Sequence, residues 1–169
     1  FATRARVSGD NLAIRSSNAG ATAEPGELTR AGSAAAVSLW WEWTAPATGT
    51  VSIDTSGSAY DTVLAVYAAP DTTTPSLPGG LALLASNDDD TGSQTSRLTF
   101  AAQAGVAYEI AVDGKSGAAG LTLLNLGTTP ANDSFASPAV LSGVSTHLTA
   151  TNAHCSRESG EPHILGFAG

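Results

Sequence analysis

Residues 37–44 read Val-Ser-Leu-Trp-Trp-Glu-Trp-Thr. Val37, Leu39, Trp41 and Trp43 fall on one face of an extended segment, and Ser38, Trp40, Glu42 and Thr44 fall on the other. An apolar period of two is the mark of a half-buried β-strand. The pattern returns at Val51 and Ile53 after the turn PATG. It is clearest at Val106, Tyr108, Ile110 and Val112, with Ala107, Glu109, Ala111 and Asp113 facing away. Further strands are expected around Leu12 and Ile14 and over Val63 to Tyr67, Leu81 to Ala85, Arg97 to Phe100 and Leu121 to Leu126. Turn-rich stretches separate them: SGSAYD, PDTTTPSLPGG, NDDDTGSQ, AQAG and DGKSGAAG. About eight strands at this spacing, with no helical period anywhere, predict an all-β, antiparallel, jelly-roll-like sandwich.

Composition narrows the function. The 169 residues carry 7 Lys+Arg against 15 Asp+Glu, a net charge of -8. That field repels polyphosphate and argues against nucleic acid as a partner. Only 13% of residues are charged, about half the usual share, so the surface is built of Ser, Thr, Gly, Ala and Asn. This is the composition of a secreted or cell-surface β protein. No apolar run approaches the roughly 20 residues that a membrane-spanning helix needs. The chain has no Met and no charged-then-apolar leader ahead of Phe1, and it reads as a mature or internal piece. Cys155 is the single cysteine, so any disulfide would join another chain.

The two ends of the chain repeat each other. At an offset of 134 residues, positions 1–35 align without a gap on 135–169 and share 12 identities, among them Phe1/Phe135, Ser8/Ser142, Gly9/Gly143, Asn18/Asn152, Glu24/Glu158, Gly26/Gly160 and Glu27/Glu161. Residues 1–131 are accordingly expected to form one complete sandwich. Residues 132–169 are expected to be the N-terminal part of a second repeat, donating strands to a neighbouring unit. The joint, GTTPANDS from Gly127 to Ser134, has linker composition.

The succession NDSFASPAVLSG, NAGATAEPGE, WWEWTAPATGTVSIDT, YDTVLAVYA, LASNDDDTGSQTSRLTF and AGVAYEIAVDG resembles the bacterial pre-peptidase C-terminal (PPC) type of domain, in its tandem-repeat version from large secreted and surface proteins. The resemblance covers the first repeat and the fragment of the second. It implies a non-catalytic β-sandwich module used for adhesion, for attachment to a substrate or matrix, or as a spacer. The family often reads E-P-G-E-P-x-H-A-G, whereas Leu28 and Arg30 stand here in place of the Pro and His.

Four groups of residues invite a chemical reading. The run Asn87, Asp88, Asp89, Asp90, with Asp61 from a neighbouring loop, offers the clustered oxygens that a hard cation such as calcium requires. The other reading is a solvated hairpin turn. An EF-hand is excluded, because the alternating Asp-x-Asp-x-Asp-Gly is missing. Glu24 and Glu27, repeated as Glu158 and Glu161, could be an acid/base pair, part of a cation site, or a turn motif whose Glu accepts backbone or Trp N–H bonds. Trp40, Trp41 and Trp43 could be a sugar platform or core anchors; alternation sends Trp40 to the face opposite the other two. His147, His154, His163 and Cys155 suggest a metal or nucleophilic site, but align with Ala13, Gly20, Thr29 and Ala21 in the complete repeat, so they do not belong to the repeat plan. No G-x-S-x-G elbow or phosphate loop occurs.

The sequence thus points to a non-enzymatic, extracellular structural repeat. It is expected to associate head to tail with copies of itself in a filament or long surface protein, with calcium as a candidate structural cofactor and otherwise none. The alternative is an accessory module of a secreted peptidase or hydrolase that binds carbohydrate or a matrix polymer.

Overall fold

The computed structural model describes residues 3–68, 80–130, 132–134, 136, 138–147, 149, 151, 152, 154 and 155. They divide into two compact units, Phe1–Thr128 and Thr129–Gly169. No helix among the described residues is long and apolar enough to cross a membrane.

Among its described residues, unit 1 is a β-sandwich of nine strands: β1 (Ala5–Ser8), β2 (Asn11–Ser17), β3 (Leu39–Thr44), β4 (Gly49–Asp54), β5 (Thr62–Ala68), β6 (Ala82–Asn87), β7 (Arg97–Ala102), β8 (Ala107–Gly114) and β9 (Leu121–Thr128). One sheet has the order β1-β3-β8-β5-β6 and the other β2-β9-β4-β7. Every pairing is antiparallel except β1 with β3, which run parallel. Eight strands lie where alternation predicts them. The ninth, β1, reads Ala-Arg-Val-Ser, and its one inward apolar residue, Val7, gives no period to detect.

The facing surfaces supply the core: Trp41, Trp43, Leu64, Val66, Tyr108, Ile110 and Val112 from the larger sheet, and Val51, Ile53, Leu98, Phe100, Leu124 and Leu126 from the smaller. Trp43, Phe100 and Tyr108 meet edge-on or tilted, with ring centroids 5.0–6.4 Å apart, the arrangement aromatic quadrupoles favour. Trp43 Nε1 donates to the Gly9 carbonyl (2.9 Å), so the buried indole keeps a partner and holds the turn between β1 and β2. Gly9 has a φ of +128°, and a Cβ there would lie 3.0 Å from a Leu12 methyl, so this turn requires glycine.

The outer face of the larger sheet departs from a simple two-layer reading. Side chains expected to face away from the core do so, yet Glu109, Ala111 and Asp113 are buried. Residues from the long β2–β3 connection lie over this face, where a second apolar cluster of Trp40, Ala65, Tyr67, Leu81 and Ala111 forms. All seven residues of β5 but the last are therefore buried on both faces. Strand β3 begins at Leu39 rather than Val37, because the Ala36 and Val37 amides turn aside to Asp113.

Candidate functional site

At one end of the larger sheet three neighbouring strands bring their flanking residues together. Asp61 precedes β5, Asp88 and Asp89 follow β6, and Lys115 follows β8 in a short 3-10 turn whose N–H donates to the Asp61 carbonyl (3.0 Å). A buried knot of hydroxyls fixes this end. Thr55 Oγ1 and Thr62 Oγ1 are 2.6 Å apart, the Ser96 amide donates to both, and Ser96 Oγ lies 2.7 Å from the Asp88 carbonyl.

Asp61, Asp88 and Asp89 each present a carboxylate oxygen, all within 4.8 Å of one another. Asp61 Oδ1 and Asp88 Oδ1 are buried and have no hydrogen-bond partner among the described residues. Such a set of hard oxygens could hold a metal ion. The chain's one lysine already brings a cation there: Lys115 Nζ lies 2.7 Å from Asp88 Oδ2 and 3.7 Å from Asp89 Oδ2. Desolvation pushes the Asp61 carboxyl above the ordinary carboxylate range, with Asp89 and Asp88 adding to the rise and Lys115 opposing it. The bond to Asp88 raises Lys115 in turn, with the surrounding acids reinforcing it. Mutual repulsion of the acids, which by itself calls for a cation, is thus met within the chain.

The other residues of the acidic run are committed elsewhere. Asn87 Oδ1 accepts the Arg97 N–H (3.1 Å), and Asp90 accepts the Thr91 N–H and pairs with Arg97 Nε (3.2 Å). Beside the cluster, a hollow of about 470 Å³ is lined by residues 31–36, Asp88, Lys115 and Ser116.

The E-x-G-E element lies in the cover of the larger sheet. Glu27 Oε1 accepts the Glu24 N–H (2.8 Å) and the Ser38 hydroxyl (2.7 Å), while Trp40 Nε1 donates to Ser38 Oγ (3.2 Å). The Trp40 N–H thus reaches Glu27 through one hydroxyl. Glu27 Oε2 pairs with Arg30 Nη2, whose side chain is 1% exposed. Arg30 also donates from Nη1 to Asp113 Oδ2 (2.9 Å) and from Nε to the Tyr67 hydroxyl (3.1 Å), and lies 4.9 Å over the Trp40 ring. Asp113 in turn accepts the Ala36, Val37 and Gly114 amides. This constellation is a fastener for the cover, and the Glu27 and Asp113 carboxylates are both engaged in it. All three tryptophans are buried, Trp41 and Trp43 in the main core and Trp40 beneath Arg30. Glu158, Glu161 and His163 lie outside the described residues.

Sequence reasoning passed over Lys115, Arg30 with Asp113, and Arg4 with Glu109. Lys115 had one available signal: a lone lysine in a chain with 15 acids. The other pairs join residues 83 or more positions apart, a distance no local pattern spans.

No protein-family model matches the chain, and no curated protein does. Solved structures do. It is similar to the pre-peptidase C-terminal domain of a collagenase from Bacillus anthracis, with 12% identity over 73% of this chain and 92% of that one, at a TM-score of 0.42. It is similar to PliG of Aeromonas hydrophila, a periplasmic inhibitor of g-type lysozyme, with 18% identity over 72% and 92% of the two chains, TM-score 0.43. CorA of Methylomicrobium album BG8, a surface-associated copper-binding protein, is a third, with 10% identity over 74% and 98%, TM-score 0.46. The pre-peptidase C-terminal type that the sequence motifs resemble is therefore among the solved structures to which this β-sandwich is similar.

Proposed function

We propose that the chain is a non-catalytic, extracellular structural module whose copies are joined head to tail, as in a long surface protein or filament, and that the segment after Thr128 opens the next copy. The observation that carries this reading is a pair of backbone turns matched at the 134-residue offset. Gly9 and Gly143 have φ of +128° and +103°, and in each turn the side chain three residues on lies against the glycine, Leu12 in one and Thr146 in the other. Asn18 accepts the Ala21 N–H through its carbonyl (3.0 Å) and Asn152 accepts the Cys155 N–H (3.2 Å). The residue before that N–H is left-handed in both, Gly20 at +81° and His154 at +61°.

The two copies differ in their surroundings. Asn18 is buried, donating to the Ala118 carbonyl and accepting the Gly120 N–H, whereas Asn152 is exposed. Leu141, the counterpart of the inward-facing Val7, is 62% exposed, and its neighbours Val140 and Val144 more so. Leu141 in solvent where Val7 packs on a core, flanked by two further exposed valines, supports association with further sandwich material. Buried ionisable groups tied up in structural pairs, Glu27 and Asp113 with Arg30 and Glu109 with Arg4, support a non-catalytic role. The sparse charge of the chain supports an exposed, extracellular setting.

Calcium is the cation this reading assigns to Asp61, Asp88 and Asp89, as a stiffener of the loop end, and it would enter by displacing the Lys115 ammonium. The reading is tested by negative-stain electron microscopy of the native material with light scattering in solution. Rows of sandwich-sized units at a regular spacing are expected, and isolated single sandwiches would overturn it.

A further inference from the structure

Strand β1 forms one edge of the larger sheet, and charge holds it there. Glu42 on β3 and Glu109 on β8 stand directly opposite each other in the antiparallel register, a pairing that repels unless a cation intervenes. Arg4, just ahead of β1, supplies it: Nη2 lies 2.6 Å from Glu42 Oε2 and Nε lies 2.8 Å from Glu109 Oε1. Arg6, level with Glu42 in the parallel register, adds a second contact at 3.2 Å. Glu109 is 1% exposed, and its Oε2 has no hydrogen-bond partner among the described residues. The edge beside β3 is therefore a slot with two carboxylates whose cations come from the strand that fills it.

The second copy's version of this strand is different. At the 134-residue offset Pro138 stands for Arg4 and Val140 for Arg6, while Ala139, Leu141, Ser142 and Gly143 keep the pattern of Ala5, Val7, Ser8 and Gly9. We propose that Glu42 and Glu109 make the β1 slot of unit 1 selective for a strand carrying arginines at these two places, and that this keeps the 138–142 segment of any neighbouring molecule out of it. The inference rests on the repeat reading above. It restricts how copies join: a repeat takes its own edge strand rather than one donated from the next, because the donated strand would leave two facing carboxylates without a cation.

The test uses the full chain at pH 8, with urea unfolding followed by tryptophan fluorescence. Replacing both arginines, R4M/R6V, should lower the folding constant at least a hundredfold. In an E42Q/E109Q background the same pair of changes should cost less than tenfold, since the carboxylates no longer need cations. Moving the arginines, R4M/R6V/P138R/V140R, should regain at least tenfold, with light scattering telling whether the regained strand comes from the same molecule or another. An equal loss in both backgrounds would overturn the selective slot. A loss coupled to the glutamates with no regain would instead overturn the equivalence of residues 138–142 with β1, and with it the repeat reading on which the selection between copies depends.

Discussion

Arg30 offers the sharpest test of how the outer face is closed. Its guanidinium, 1% exposed, is shared by the Glu27 and Asp113 carboxylates, bonds the Tyr67 hydroxyl and stacks over Trp40. Arg30→Met keeps a flexible apolar stem against the indole but leaves two buried carboxylates without their cation. Breaking a buried pair by deleting one partner costs about 3–5 kcal/mol, and losing the cation–π contact adds about 1 kcal/mol. Domains of this size are stable by only about 5–15 kcal/mol, so the substitution should remove a large part of the total. Thermal unfolding should shift down by roughly 10–20 °C. Arg30→Lys keeps the charge but not the flat, forked geometry, and should cost about 1–2 kcal/mol. The assay is urea and thermal unfolding of the three proteins, with tryptophan fluorescence reporting on Trp40. In an E27Q background, with one of the two carboxylates already neutral, the Arg30→Met cost should shrink by at least about 1 kcal/mol. A cost for Arg30→Met below about 1 kcal/mol, or one unchanged by E27Q, would refute the account of a charge-fastened cover.

Three further outcomes are expected. Burial, reinforced by the facing Glu42 and opposed by Arg4, pushes Glu109 from 4.5 to about 7. A carboxyl raised in the folded state stabilises most when protonated, so the Glu109 contribution should be full below about pH 4.5 and be lost as pH rises to about 7, by up to about 3 kcal/mol. Subtracting the pH–stability profile of E109Q from that of the wild type should reveal this slope, and a flat difference would contradict it. Lys115→Met should strip the Asp61, Asp88 and Asp89 cluster of its tethered cation, so that millimolar calcium raises the thermal midpoint of the variant by several degrees and of the wild type by less; equal responses would show that the lysine does not compete. At Gly114 a Cβ would stand 1.6 Å from the Ala118 carbonyl oxygen, so Gly114→Ala should cost at least about 3 kcal/mol and loosen the Lys115 turn, measurable by urea unfolding, with a cost under 1 kcal/mol as the contrary result.

Legibility in the sequence followed the range of the signal. Strands such as β3 and β8 announce themselves because a buried face imposes a period of two on residues adjacent in the chain. Strand β1 does not, for it has four residues and one inward apolar side chain, and it is held by Arg4 and Arg6 reaching glutamates 36 or more positions away. The cover was hidden for another reason. Glu109 and Asp113 are polar and alternate with apolar neighbours, which reads as a solvent face, and it takes Arg4 for the one, and Arg30 with the Ala36 and Val37 amides for the other, all from distant segments, to make their burial tolerable. The acidic triad was partly visible, since Asp88 and Asp89 are adjacent. Asp61 could be added as a guess, but the seating of Lys115 required the pairing of β5 with both β6 and β8, a fact of topology.

The pairing of β2 with β9 sets Asn11 opposite Gly127, and the Thr128 N–H donates to the Asp10 carbonyl. The exit of unit 1 therefore lies beside the turn where β1 gives way to β2. If tension were applied between the two ends of this unit, it would run along β1, round the Gly9 turn and out through the last residues of β9, with most of the sandwich standing outside that path. The first fastening to meet the load would be the hold of β3 and β8 on β1, the shortest strand. Its resistance would come less from the aromatic core than from two arginines. One of them, Arg6, has a side chain 79% exposed and open to screening by salt, while Arg4 is mostly sheltered. The force needed to start unravelling the module would then vary with ionic strength only in its outer portion, leaving a salt-insensitive remainder set by Arg4 together with the short β1–β3 ladder and Val7.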